Sequence, residues 1–346
     1  MENKNTFFVI VLFLLALWGA YSIYAPFLLP MVVAVLLAMA TSNLTQQVAG
    51  WVHSRKLSTV IMVVLMTLLI LAPILYIATT GVEYLSRLDQ QTMHTIFDKV
   101  RNLTKNIPYL NQWADEYLRA DKVLPYLKEI SLYLTHMGSK GVGFMKDALL
   151  VILFYAAVVH YRERFFELFE ALIPAPQKES REMIEETAST MEIVFYSIIV
   201  TAVFEGFLFG IFISYFGFDG LLFGTIYGFA SLIPVVGGAL LWVPLSLYAW
   251  SELGSKDALI IASYSVIMIS VIADTFVKPI IIKVIKEHML HHHTRIDELV
   301  IFFSILAGMT TYGFWGMILG PAITTFLFAA TRIYLNYNQN LQERGA

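Results

Sequence analysis

Apolar positions in this chain run on continuously, without the stripes of an amphipathic helix or the alternation of a strand, and polar residues gather between the runs. Runs of this kind predict helices that are hydrophobic all round, as lipid requires. Six are predicted: Phe7 to Tyr24; Phe27 to about Thr41, set off by Pro26 and kinked near Pro30; about Thr59 to Thr80; Phe144 to Val159; Ile193 to Phe216; and Ala258 to Val277. Two further runs, Leu221–Ser251 and Leu299–Thr331, lack any Asp, Glu, Lys or Arg. Each is too long for one span of ~20 residues and too short for two spans with a turn. Each is broken near its middle, by Pro234, Gly237 and Gly238 in one and by Thr310, Thr311 and Gly313 in the other. Pro244 and Pro321 follow in the second arms. Paired interrupted segments of this kind are the sequence mark of a transporter's substrate region.

Loop charge orients the helices. Arg55 and Lys56, then Arg162, Arg164, Lys178 and Arg181, then Lys278, Lys283, Lys286 and Arg295 fall in alternate loops. The loops Ser22–Pro26, Gly217–Gly220 and Glu252–Asp257 contain only Lys256. The positive-inside rule then places both termini in the cytoplasm. The first hairpin enters from outside and the second from inside. Each full crossing with its hairpin forms a unit, and the two units are opposed, an inverted repeat. Arms of ~15 residues reach only ~22 Å, so the tips are expected to meet within the bilayer. The fold expectation is all-α: about six full transmembrane helices plus two interrupted hairpins.

The chain divides accordingly. Residues 1–82 hold the first helices and 83–141 an extracytoplasmic helical insertion. Residues 142–192 carry the fourth helix and a cytoplasmic amphipathic segment, where Phe165, Phe166, Leu168 and Phe169 suit the lipid interface. Residues 193–331 form a transport domain with hairpins at 221–251 and 299–331, and 332–346 a cytoplasmic tail.

Composition agrees with a polytopic membrane protein: 346 residues, 58% hydrophobic, 14% charged, mean hydropathy +0.69. A net charge of -3 without a basic block argues against nucleic acid. The absence of cysteine excludes disulfides, thiol catalysis and cysteine-held metal. No His-Glu-x-x-His, Gly-x-Ser-x-Gly or phosphate-binding loop is present, so neither an enzyme nor an ATP-driven pump is indicated, and no cofactor is expected.

The candidate chemistry is sparse. Glu205 lies mid-helix with Thr201 one turn earlier, and an ionisable group at that depth is a functional candidate by default. It is a proton or cation carrier, or else a hydrogen-bonded structural residue. Asp274 and Lys278, four apart, form a gate or coupling pair, or an ordinary ion pair with Lys278 snorkelling. Lys146 and Asp147 read as interfacial anchors. Around the breaks, Ser231, Pro234, Gly237, Gly238, Thr310, Thr311, Tyr312 and Gly313 offer hydroxyls and backbone groups to a small solute or an ion. The glycines also serve close helix packing. His288, His291, His292 and His293 form a cytoplasmic cluster, read as a solvated loop rather than a metal site.

These segments carry a resemblance. Ser231-Leu-Ile-Pro-Val-Val-Gly-Gly238 resembles the signature hairpin of the autoinducer-2 exporter family of bacterial inner-membrane proteins. Asp274-Thr-Phe-Val-Lys-Pro279 is similar to that family's Asp-Asn-x-x-basic-Pro element, with Thr275 in place of Asn. Thr294-Arg-Ile-Asp-Glu-Leu299, followed by Gly308, Gly313, Gly316, Gly320 and Pro321, resembles its C-terminal hairpin. The resemblance implies a homopentamer in the inner membrane whose protomers work independently, hairpins that hold substrate, and elevator movement. It implies export of a small polar solute such as autoinducer-2, or Na⁺(Li⁺)/H⁺ antiport. A passive channel or a membrane scaffold are the readings from other classes.

Overall fold

The computed structural model describes residues 2–86, 143–173, 176–233, 236–280, 283–284 and 297–345. Most of the outer insertion, the histidine cluster and Pro234 lie outside them. The described residues contain helices and turns and no strand. The helices are α1 (Glu2–Ala40), α2 (Ser42–Val52), α3 (Arg55–Ser86), α4 (Gly143–His160), α5 (Arg162–Leu172), α6 (Gln177–Ser214), α7 (Gly220–Ala230), α8 (Gly237–Glu252), α9 (Ser255–Tyr264), α10 (Glu298–Tyr312) and α11 (Gly316–Gly345). A wider π-helical stretch, Ser265–Val277, continues α9, and a 3₁₀ turn, Gly313–Trp315, joins α10 to α11.

Among the described residues six stretches are long and apolar enough to span a membrane: Phe8–Ala40, Arg55–Gly81, Gly143–His160, Gln177–Ser214, Ser255–Ile280 and Leu299–Leu335. They differ from the predicted six in two ways. Phe7–Tyr24 and Phe27–Thr41 are one helix, because α1 passes through Pro26 and Pro30 without a break. A proline removes one backbone hydrogen bond, but a break here would expose more polar backbone to lipid. Ser22–Pro26 is therefore not a loop. Conversely, Leu299–Leu335 is not one straight span. A Cβ on Gly308 would overlap the Gly316 carbonyl and lie 3.0 Å from the Gly320 Cα. Residues eight and twelve apart cannot touch along a helix, so the chain folds back at Gly313, whose φ of +62° is one that glycine adopts freely. The broken-hairpin reading holds here, with the turn after Tyr312; Thr310 and Thr311 are still helical.

The described chain forms two compact units. One takes Met1–Val64, Lys146–Met191 and Ala307–Ala346. In it Val33, Ala34, Leu37 and Ala40 of α1 are buried, with Ala148, Val151 and Tyr155 of α4. The Thr41 and Tyr155 hydroxyls lie 2.9 Å apart. Arg332 of α11 donates to both carboxylate oxygens of Glu186 at 2.9 and 3.2 Å. That fork needs α6 to run back without a break from its membrane span, and it does: no loop separates the expected amphipathic helix from the span.

The other unit takes Leu65–Met145 and Glu192–Leu306. Its core gathers Phe209 and Ile213 of α6, Tyr227 of α7, Leu245 and Ala249 of α8, Ile261 of α9 and Ile269 and Ala273 beyond it. Aromatic stacking fixes the layers: Phe209 on Tyr227 at 4.4 Å between centroids, and Phe212 on Tyr264 at 3.6 Å.

Candidate functional site

The first hairpin is built by glycine. Ala202, Gly206 and Gly210 on α6 meet Gly228, Gly224 and Gly220 on α7 in antiparallel order. A Cβ on Gly206 would lie 2.5 Å from the Gly224 carbonyl oxygen, and one on Gly228 would lie 2.6 Å from that of Ala202. Small residues at every fourth position let the two backbones touch, the packing mode that membranes favour. This stripe is present in the sequence at a spacing of four, and it escaped the sequence reading because attention fell on the breaks.

The α7 arm is eleven residues, about 16 Å at 1.5 Å per residue, roughly half of a ~30 Å hydrocarbon core. Asp219 starts it, its carboxylate accepting the Leu222 N–H at 2.9 Å. It ends at Ser231, whose N–H donates to the Tyr227 carbonyl at 2.8 Å and whose hydroxyl donates to Gly228 at 2.9 Å. The turn closes on itself, with Ile233 N–H bonding Ala230 and Gly237 N–H bonding Ile233. Gly237 is buried, and a Cβ there would overlap the Ala230 carbonyl. A Cβ on Gly238 would collide with the Tyr227 hydroxyl. These two positions are thus demanded by close approach at the tip.

Thr201 and Glu205 belong to the same neighbourhood. Ala202, next to Thr201, touches Gly228, the residue whose carbonyl takes the Ser231 hydroxyl. Thr201 therefore stands at the level of the tip, and Glu205 one turn away. Glu205 is ten residues before Tyr215, hence ~15 Å into the membrane. The two side chains are 5% and 4% exposed. Ser197, a further turn back, completes a stripe of three polar side chains at a spacing of four, and this residue the sequence reading missed.

The hydroxyls in this stripe differ from most helical threonine hydroxyls among the described residues. Thr41, Thr45, Thr59, Thr79, Thr187, Thr190, Thr225, Thr311, Thr324, Thr325 and Thr331 all donate to the carbonyl four residues back. Such back-bonding is the usual way to satisfy a hydroxyl in a helix. The buried hydroxyls of Ser197 and Thr201 have no hydrogen-bond partner, nor has that of Ser246 on α8. A buried hydroxyl without a partner carries a desolvation cost of about 1–3 kcal/mol.

The second tip, in the other unit, is open. Thr310, Thr311, Tyr312 and Gly313 are exposed, and the Thr311 hydroxyl is bonded to Ala307 at 2.9 Å. Just past it Trp315, Gly316 and Met317 are buried, with Gly316 against Gly308 of the first arm.

Asp274 lies in the π-helical stretch, where bonds run i to i+5, and Lys278 directly follows it. The Ser270 hydroxyl accordingly reaches the Ser265 carbonyl five residues back, at 3.3 Å. The Asp274 side chain is outside the described residues; Lys278 is half-buried just past the stretch. Lys146 and Asp147 are 3.5 Å apart and partly exposed, as anchors would be. Among the described residues no three His, Asp or Glu side chains gather at metal-binding range.

Comparison with known proteins agrees with this architecture. The family described as AI-2E family transporter matches residues 7–336. A Helicobacter pylori (strain 26695) protein whose name assigns it provisionally to transport is 31% identical over 344 residues, covering 96% of this chain and 97% of the relative. An Aquifex aeolicus protein of the same provisional name is 25% identical over 258 residues, 70% of each chain. One from Treponema pallidum is 28% identical over 165 residues, 46% of this chain and 38% of the relative.

Proposed function

This chain belongs to the AI-2E transporter family, and from that premise we propose that it is a secondary transporter exporting a small polar solute, such as the furanone autoinducer-2, across the bacterial inner membrane. The observation that carries the reading is the polar stripe Ser197–Thr201–Glu205, half-buried at Ser197 and buried at Thr201 and Glu205, beside the tip of a hairpin whose first arm is too short to cross the bilayer. Partnerless hydroxyls at mid-membrane suit a polyhydroxylated guest that supplies the missing bonds. Glycine-tight turns let such a guest reach backbone groups. An elevator movement of opposed hairpins, within a homopentamer of independent protomers, is the mechanism this reading adopts. Asp274 and Lys278 serve as its gate, and Thr310, Thr311, Tyr312 and Gly313 as the second half of the substrate region.

One observation favours a second reading. Glu205 is buried within an apolar span, where an ionisable side chain is a functional candidate by default. In Na⁺(Li⁺)/H⁺ antiport Glu205 would alternate between proton and cation.

Liposomes containing autoinducer-2 and a pH dye distinguish the two. Saturable furanone efflux, with no pH change when Na⁺ is imposed, is expected for the exporter. Glu205→Gln is then expected to lower efflux without abolishing binding. A Na⁺-driven pH change that Glu205→Gln abolishes, with no furanone efflux, replaces the exporter by the antiporter. Conductance without saturation would sink both in favour of a channel.

A further inference from the structure

The junction of α2 with α3 and that of α4 with α5 come together in one unit. His53 ends α2 in the left-handed region, φ 54°, and so turns the chain sharply into α3. The Ser58 hydroxyl then donates back to the Thr45 carbonyl at 2.9 Å, tying α3 against α2. At the other junction α4 ends at His160 and α5 begins at Arg162. Arg55 Nη2 donates to Glu163 Oε1, joining the two junctions. Arg162 is drawn in as well: with the Gln46 amide oxygen turned toward it, its Nη2 and Nη1 donate at 2.8 and 2.9 Å. Arg164 sits with its guanidinium 5.9 Å from the centre of the Tyr161 ring.

The cluster is short of negative charge. Arg55, Lys56, Arg162 and Arg164 are four cations, and among the described residues the carboxylate seen bonded to one of them is Glu163. Glu167 and Glu170 lie one and two turns further along α5. The Arg162 pKa is lowered, first by burial and then by the nearby Arg55 charge. Glu163 is held below the usual carboxylate range by its hydrogen bond to Arg55 and by that residue's charge. Arg55 thus holds the carboxylate, while Arg162 beside it bonds the neutral Gln46 amide.

The cluster's depth points to the kind of anion it suits. Arg55 is the first residue of one membrane span and His160 the last of another, so the cations stand where hydrocarbon gives way to headgroups. Trp51, 78% exposed, and Tyr161, 50% exposed, flank them, with Leu57, Leu168 and Phe169 also exposed. Aromatic side chains at that level are interface anchors, and basic pockets between span ends hold lipid phosphates. Guanidinium forks match phosphate oxygens in pairs.

We propose that Arg55, Lys56, Arg162 and Arg164 hold the phosphate of an anionic phospholipid at the headgroup level, with Trp51 and Tyr161 against its acyl boundary. The lipid is structural. It supplies the charge that Glu163 alone does not, and it pins the α2–α3 and α4–α5 junctions together.

The test uses the full chain in neutral detergent. Phosphatidylglycerol, phosphatidylcholine and inorganic phosphate are titrated in turn, and the melting temperature and lipids retained in native mass spectrometry are read. Phosphatidylglycerol is expected to stabilise and to stay bound where phosphatidylcholine does not. In Arg55→Gln/Arg162→Gln its half-saturating concentration should rise about thirty-fold. If that variant fails to fold, Lys56→Gln/Arg164→Gln, which leaves the Arg55–Glu163 and Arg162–Gln46 bonds intact, carries the same expectation. An unchanged phosphatidylglycerol response in a folded variant, or an equal response to phosphatidylcholine, overturns the proposal. Full stabilisation by inorganic phosphate overturns it in favour of a soluble anion.

Discussion

Thr201 is where stability and function separate most cleanly. Its hydroxyl is buried, has no partner and is not returned to its own helix. Thr201→Val keeps the shape and removes the hydroxyl, so the folded protein should gain about 1 kcal/mol. If the hydroxyl serves a solute, transport should fall several-fold in the same variant. Thermal unfolding and efflux measured together test this, and a variant that is less stable yet transports normally would assign Thr201 to packing. Thr201 and Glu205 were legible in the sequence because polar residues inside an apolar run stand out. Ser197 was not, since a serine near the start of a span is unremarkable until its hydroxyl is seen turned from its own backbone. Ser231 was legible as a tip residue, yet its hydroxyl is engaged in capping α7, which only coordinates could reveal.

Between α6 and α7 the backbones meet without intervening side chains. Gly224→Leu would drive four carbon atoms into the Gly206 carbonyl, to which even a Cβ would come within 2.6 Å. Overpacking typically costs about 1–3 kcal/mol, and more where backbone is the obstacle. The variant should lose melting temperature and all transport, whereas Leu221→Ala, on an exposed position of the same helix, should lose neither. A Gly224→Leu protein with wild-type stability would show that the two helices part easily. The elements themselves were readable because apolar runs and glycine breaks are local signals. The hairpin at 220–252 matches its expected bounds within a residue. What local pattern misses is continuity: Pro26 and Pro30 look like breaks, but lipid penalises an interrupted backbone more than a missing hydrogen bond. It also misses winding, since nothing in Ser265–Val277 announces a π-helix to a reader counting in fours.

For the whole molecule, the polytopic helical fold followed from composition and spacing, because a membrane admits few alternatives, whereas the family followed from the resemblance carried by Ser231–Gly238, Asp274–Pro279 and Thr294–Leu299. The pairing of distant segments did not. Arg332 and Glu186 are 146 residues apart, and nothing in either neighbourhood points to the other. The unbroken α1 has its own consequence at this scale. Its apolar stretch of 33 residues is about 50 Å long, more than a ~30 Å core needs, so it is long enough to span with tilt to spare. As a single helix it counts as one crossing, where the loop-charge reading counts two before Arg55. If α2 lies on the cytoplasmic side, as loop charge implies, and each hairpin returns to the side it left, the passages between the two ends of the chain are odd in number, and the expectation of two cytoplasmic termini gives way to ends on opposite sides. A cysteine placed at Asn3 should therefore react with an impermeant reagent from outside the cell, and one at Asn340 only after the membrane is opened. Equal protection of both would require α1 to double back at Pro26. If the ends are parted, no single soluble partner can grasp both tails, and a signal passing from one to the other has to travel through the helices.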